Sequence, residues 1–169
     1  MFLFEPGFRP ILIFVLVMGL FVLFGVVRRR WFSDPGVDFA ADDPSHRQAV
    51  QLAQASLDEF WTALRRPQAP DTEFGLKIGL PAGRGTEHVW VLADKDTERT
   101  QSGRLMSRPH FLRMREGDRV SFEPDQISDW MIRDATGTRG AYTIQAMLRT
   151  LPPAEARRMA EAQGVALVD

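Results

Sequence analysis

Glu87, His88, Asp129 and Tyr142 are the residues of this 169-residue chain whose types could do chemistry together. A carboxylate beside an imidazole can move protons, and an aspartate can orient a histidine. Their spacing argues against a shared pocket. Neighbours on a strand point to opposite faces, so Glu87 and His88 cannot look into one cavity unless a bulge intervenes. The same rule sends Asp129 and Trp130 opposite ways and puts Trp90 on the face of His88. The sequence therefore favours a structural reading. Trp90 and Trp130 are expected as core or sheet-covering aromatics, and Glu87 and Asp129 as partners for turn amides or an arginine. No residue is assigned a catalytic role. Glu87, His88, Trp90, Asp129, Trp130 and Tyr142 stand as a candidate ligand or partner site. The alternative is a small-ligand sensor or hydrolase using Glu87, His88, Asp129 and Tyr142.

Other chemistries are narrowed by what is missing. The chain has no cysteine, so disulfides, thiolate metal sites and a cysteine nucleophile are excluded. The three histidines, His46, His88 and His110, fall on a helix, a strand and a loop without ligand spacing, and no metal is expected. Neither a phosphate-cradling glycine loop nor a Gly-x-Ser-x-Gly elbow is present, so no cofactor is expected either. One basic concentration exists: Arg104, Arg108, Arg113, Arg115 and Arg119, with His110 and Phe111 among them. It reads as a solvated surface balanced by Glu116, Asp118 and Glu123, or as a patch for anionic lipid headgroups or an acidic partner. The chain carries a net charge of −1, and residues 34–169 hold 21 acidic and 17 basic side chains, a balance of −4. That balance argues against nucleic acid as a partner.

The elements that must position these residues follow from periodicity. Residues 1–9 form a short tail. Residues 10–27 are uncharged and apolar on every side. As a helix they span roughly 27 Å, the thickness of a bilayer's hydrocarbon core. No Ala-x-Ala pattern follows, so this transmembrane helix is read as an uncleaved, single-pass anchor. Arg28, Arg29 and Arg30 come directly after it, which places the following domain in the cytoplasm by the positive-inside rule, with the periplasm as the alternative. Residues 28–44 are a juxtamembrane linker. An amphipathic helix is expected over 45–66, capped by Asp43 or Ser45, with a stripe through Val50, Ala53, Leu57, Phe60 or Trp61, and Leu64.

From Glu73 the period changes to two. Phe74, Leu76, Ile78 and Leu80 alternate with Gly75, Lys77 and Gly79. Further strands are expected over Glu87–Ala93, over Arg99–Leu105 at an edge, and over Arg119–Phe122 and Ile127–Arg133. Gly117-Asp118 makes a turn and Asp134–Gly140 a loop. Ala141–Arg149 fits strand or helix, and Pro152–Gln163 is a helix ended by Gly164. The fold class is α+β: a small, mainly antiparallel sheet of about five strands with flanking helices, behind the anchor. The domain proper spans 72–150, and 151–169 supply the C-terminal helix and tail.

Several of these pieces resemble a bacterial family of uncharacterised domains, DUF2314 (YegJ-like). They are Phe74 and Lys77, Glu87-His88-Val89-Trp90, Gly103, Gly117-Asp118-Arg119-Val120, Ile127-Ser128-Asp129-Trp130-Met131 and Gly140-Ala141-Tyr142-Thr143. The resemblance covers residues 72–148. It departs at Ala141, where the family usually has a second glycine. The anchor and linker lie outside the resemblance, and the family has no established reaction, so the resemblance implies a bacterial domain and no mechanism; the inner-membrane location is expected from residues 10–30 alone. The expectation is a membrane-anchored, non-enzymatic domain that binds a protein partner in a regulatory or immunity-like role.

Overall fold

The computed structural model describes residues 43–94 and 96–166, which belong to one compact unit. The apolar run 10–27 and most of the linker lie outside the described residues. Among the described residues no helix is long and apolar enough to cross a membrane.

Helix α1 (Pro44–Ala55) begins where Asp43 folds its carboxylate back onto the amides of Ser45 and His46, at 2.7 and 3.4 Å. Pro44 takes the first helical position, where its missing N–H would have had no partner. The single helix expected over 45–66 is in fact two. It breaks at Ser56, and α2 (Leu57–Leu64) starts after it. Ser56 leaves helical geometry at φ −105°, and its hydroxyl sits 2.8 Å from the Leu52 carbonyl, a local bond that competes with the helical ladder.

Six strands, one more than expected, form one antiparallel sheet in the order β4-β3-β2-β1-β5-β6. Strand β1 (Glu73–Ala82) turns at Gly83 and Arg84 into β2 (Gly85–Ala93). Gly83 holds φ +60°, which a tight hairpin turn needs and glycine supplies without strain. The third strand is shorter than expected. Thr97–Thr100 is a helical turn, α3, and β3 is Ser102–Leu105. Thr97 donates its hydroxyl to the Ser102 carbonyl at 2.8 Å, and Gln101 makes the turn at φ 45°. Nor is β3 the edge: β4 (Arg119–Ser121) pairs outside it. A 3-10 turn (Pro124–Gln126) leads into β5 (Ile127–Asp134), which pairs with the other side of β1.

The stretch expected as a loop after Asp134 returns as β6 (Gly137–Gly140). Asp134 Oδ1 accepts the Thr136 amide at 2.8 Å, an Asx turn that reverses the chain. The ambiguous segment that follows is helix α4 (Tyr142–Leu148), and α5 (Pro153–Gln163) closes the described fold.

The sheet has two buried faces. On one, Phe74, Leu76 and Ile78 meet Val89, Val91, Trp130 and Ile132 beneath α1 and α2. Phe60 is fully buried here, with ring centroids 5.6 Å from Phe74 and 6.1 Å from Trp130. On the other face β1 offers Gly75, Lys77 and Gly79. A Cβ on Gly75 would lie 2.7 Å from the Met131 side chain, so that side chain lies across a bare backbone. The C-terminal end of α5 is fastened to β5 and β6. Arg133 donates to the Gln163 carbonyl and Thr138 to the Gly164 carbonyl, both at 2.7 Å.

Candidate functional site

Glu87 sits opposite Leu80 on the core face of β2 and is 9% exposed. Its carboxylate accepts three consecutive backbone N–H groups from the long β3–β4 connection. Oε1 takes that of His110 at 2.5 Å, and Oε2 takes those of Phe111 and Leu112 at 3.0 and 3.2 Å. Consecutive amides converging on one anion are a common backbone nest, here filled from within the chain. The carboxylate therefore holds residues 110–112, the middle of that connection.

His88 points the other way and is exposed. Its Nδ1 lies 3.1 Å from Ser128 Oγ, and Ser128 in turn donates to the Lys77 carbonyl at 3.2 Å. A hydroxyl has one proton. With that proton on the Lys77 carbonyl, His88 must donate from Nδ1 to the serine. A base activating Ser128 would have to accept from it, so this geometry is not that of a nucleophile and its base.

Ser128 exists as an unmatched residue. Lys77 pairs with Asp129 while Ile78 pairs with Ile127, a bulge in β5. The bulge explains how Ile127 and Trp130, three residues apart, both reach the core face. It also turns Asp129 into the interior away from that core. Asp129 is fully buried. Its Oδ1 accepts the amides of Trp130 and Tyr142 at 2.8 and 3.2 Å. Its Oδ2 accepts the amide and hydroxyl of Thr143 at 2.8 and 2.7 Å. Asp129 thereby caps the first turn of α4 from a different element, a favourable place for a carboxylate. Burial pushes its carboxyl above the ordinary range. The hydroxyl and amide of Thr143, the Trp130 amide and the Lys77 ammonium pull it back. Lys77 Nζ reaches Thr143 Oγ1 at 3.4 Å.

Tyr142 packs edge-on against Trp130, with centroids 5.9 Å apart at 72°, and its hydroxyl is 3.0 Å from Ser56 Oγ. Trp130 donates its indole N–H to the Ala53 carbonyl and to Ser56 Oγ, both at 3.1 Å. The helix break at Ser56 is thus the seat for this aromatic pair. Trp90 is buried on the face opposite Trp130.

Glu87, His88, Asp129 and Tyr142 therefore occupy different places, and each polar end is bonded to the protein's own groups. What the structure does bring together is Lys77, Ser128, Asp129 and Thr143, beside His88. Ser128 and Thr143 were not singled out by sequence reasoning. A usable signal was Lys77 standing between Gly75 and Gly79, a polar side chain in a strip cleared of others. Among the described residues no cluster of three or more histidine and carboxylate side chains is placed to hold a metal ion.

The five basic residues are exposed but not equivalent. Arg119 is bridged to Asp94 at 2.9 Å and donates to Ser102 Oγ at 3.0 Å, and Arg104 donates to the Gly117 carbonyl at 3.4 Å. Arg108, Arg113 and Arg115 lie on the connection that Glu87 holds. Phe111 lies there too and is 79% exposed. Among the described residues Leu52 and Phe111 are the large apolar side chains left open to solvent.

Residues 43–167 match a family described as "Uncharacterized protein conserved in bacteria (DUF2314)". The chain belongs to this family. It is similar to the Uncharacterized protein YegJ of Escherichia coli (strain K12), with 27% identity over 143 residues, covering 84% of this chain and 92% of that protein. No solved structure matches it. The DUF2314 match begins at Asp43, the cap of α1, and runs past the end of α5. It is wider than the 72–148 over which the motifs run. Helices α1, α2 and α5 are thus part of the DUF2314 domain rather than additions to it.

Proposed function

We propose that this DUF2314 protein is a non-enzymatic binding domain, anchored by residues 10–27 in the bacterial inner membrane with the domain in the cytoplasm, where it holds a protein partner. The observation that carries the reading is where the polar candidates go. Glu87 holds a loop, Asp129 caps a helix, Tyr142 is bonded to Ser56, and His88 donates to Ser128. These are tasks of architecture, and they leave no convergent acid–base pair for a hydrolase or sensor built on those four residues. The uncharged run 10–27 followed by Arg28, Arg29 and Arg30 supports the anchor and its orientation. Leu52, 50% exposed on α1, is the open apolar side chain on the helical side and gives a position from which to probe for the partner.

Two measurements test this. A reporter active only in the cytoplasm, fused after Asp169, is expected to be active; activity of a periplasm-only reporter in its place would reverse the orientation. A photo-reactive amino acid at Leu52 of the full chain in its own membrane is expected to give one protein adduct of defined mass. A chain that shows no adduct would overturn the protein-binding reading.

A further inference from the structure

We propose that the Phe111 loop, residues 106–116, is a lipid-docking element that seats the domain on an anionic membrane surface; this rests on the anchored reading above. Met106 to Arg115 reads Met-Ser-Arg-Pro-His-Phe-Leu-Arg-Met-Arg, with three arginines and no carboxylate. Arg108, Arg113 and Arg115 flank Phe111 in sequence and are exposed, as is Phe111 at 79%. Glu116 and Asp118 follow at the C-terminal base of the loop, and Asp118 accepts the Arg115 amide at 2.8 Å. Glu87, the carboxylate bonded to the loop, is turned inward under three of its backbone amides. An aromatic side chain with basic neighbours is the composition that binds the headgroup region of anionic bilayers.

Two arguments favour lipid over protein. A stable protein interface needs about 1,000 Å² with a packed apolar centre, and this loop offers one large apolar side chain. A weak contact suffices on a membrane to which the chain is already attached. Residues 28–42 reach at most about 50 Å from the end of the apolar run, and a tether of that order keeps the loop at about millimolar effective concentration near the bilayer.

The chain has no cysteine, so one label reports on one place. His110→Cys, carrying an environment-sensitive fluorophore, keeps the amide that Glu87 holds. The full chain would be reconstituted into vesicles of phosphatidylcholine alone and of phosphatidylcholine with phosphatidylglycerol. Flotation comes first. A chain that does not float with vesicles overturns the anchored reading and this inference with it. In floating samples the label is expected to enter an apolar environment in the phosphatidylglycerol vesicles and not in the neutral ones. Phe111→Ser, and separately Arg108→Glu with Arg113→Glu, are expected to weaken that signal at least about tenfold. These side chains are exposed, so the fold should survive their replacement. A floating chain whose label stays wet on both vesicles overturns the inference alone. So does a label that becomes buried only in native membranes, which would assign the loop to a protein.

Discussion

Replacing Glu87 by glutamine keeps its size and reach but removes the charge and turns one of two acceptors into a donor facing an N–H group. A buried acceptor with three amide donors cannot lose that capacity cheaply, and the expected loss is about 1–3 kcal/mol in chemical denaturation. Hydrogen exchange should rise first at the amides of His110, Phe111 and Leu112, and an unchanged rate there would remove Glu87 from its role. Asp129→Asn is expected to cost more, about 2–4 kcal/mol, because four donors converge on its carboxylate inside the fold. Its damage should show as lost protection at the start of α4. That Glu87 and Asp129 serve structure was legible from strand alternation and residue type, with turn amides or an arginine as the expected partners; the structure gives them amides. Which amides they serve was not. The Phe111 amide is 24 residues beyond Glu87 and the Thr143 amide 14 beyond Asp129, and only tertiary packing brings each pair together.

At the scale of elements, periodicity gave the strong strands their faces and missed the places where one element shapes another. Of the expected apolar stripe, Ala53 and Phe60 are in the core with Leu57 and Leu64 packed against it, but the stripe is interrupted at Ser56, whose hydroxyl meets Trp130 and Tyr142 from β5 and α4. Strand β6 carries Thr138 and Arg139 between two glycines and has no apolar alternation, so it reads as a loop until β5 is there to pair with it. The bulge at Ser128 was equally hidden, although Ile127 and Trp130 at odd spacing hinted at it. Gly140 is where this interlocking is tightest. It holds φ +76°, and an added Cβ would come within 2.6 Å of the Trp130 ring. Gly140→Ala is expected to destabilise by about 2–4 kcal/mol, from left-handed strain plus the clash. Gly83 shares the sign of φ but has open space around it, so Gly83→Ala should cost less, about 1–2 kcal/mol. Melting curves of the two variants compare strain alone with strain plus contact, and equal losses would mean that the Trp130 contact contributes nothing.

Over the whole molecule, α+β class and antiparallel pairing were legible from the shift of period at Glu73. The central place of β1 was not, because it depends on pairing with β5 some fifty residues later. The first helix of the domain carries a partly buried titratable group that feels the charge on this central strand. Burial holds the His46 imidazole below its ordinary pKa of 6.5; the Lys77 ammonium on β1 adds to this, and Asp43 opposes it. The unfolded chain therefore binds a proton at His46 more readily than the folded one. Stability from this residue is complete above 6.5 and is lost as pH falls through 6.5 toward the lower folded value. The buried Asp129 runs in the opposite sense, since a raised carboxyl favours the folded state at low pH and that advantage fades as pH rises from 3.8. Comparing His46→Gln with the parent removes the Asp129 contribution, because both proteins carry it. Between about pH 7.5 and about pH 5.5 the parent's melting temperature should fall more steeply than that of His46→Gln. Parallel curves would show that α1 stays on the sheet whatever the charge on His46. A steeper parent would mean that acid loosens the helix nearest the linker, so that the domain's hold on its first element depends on the pH around it.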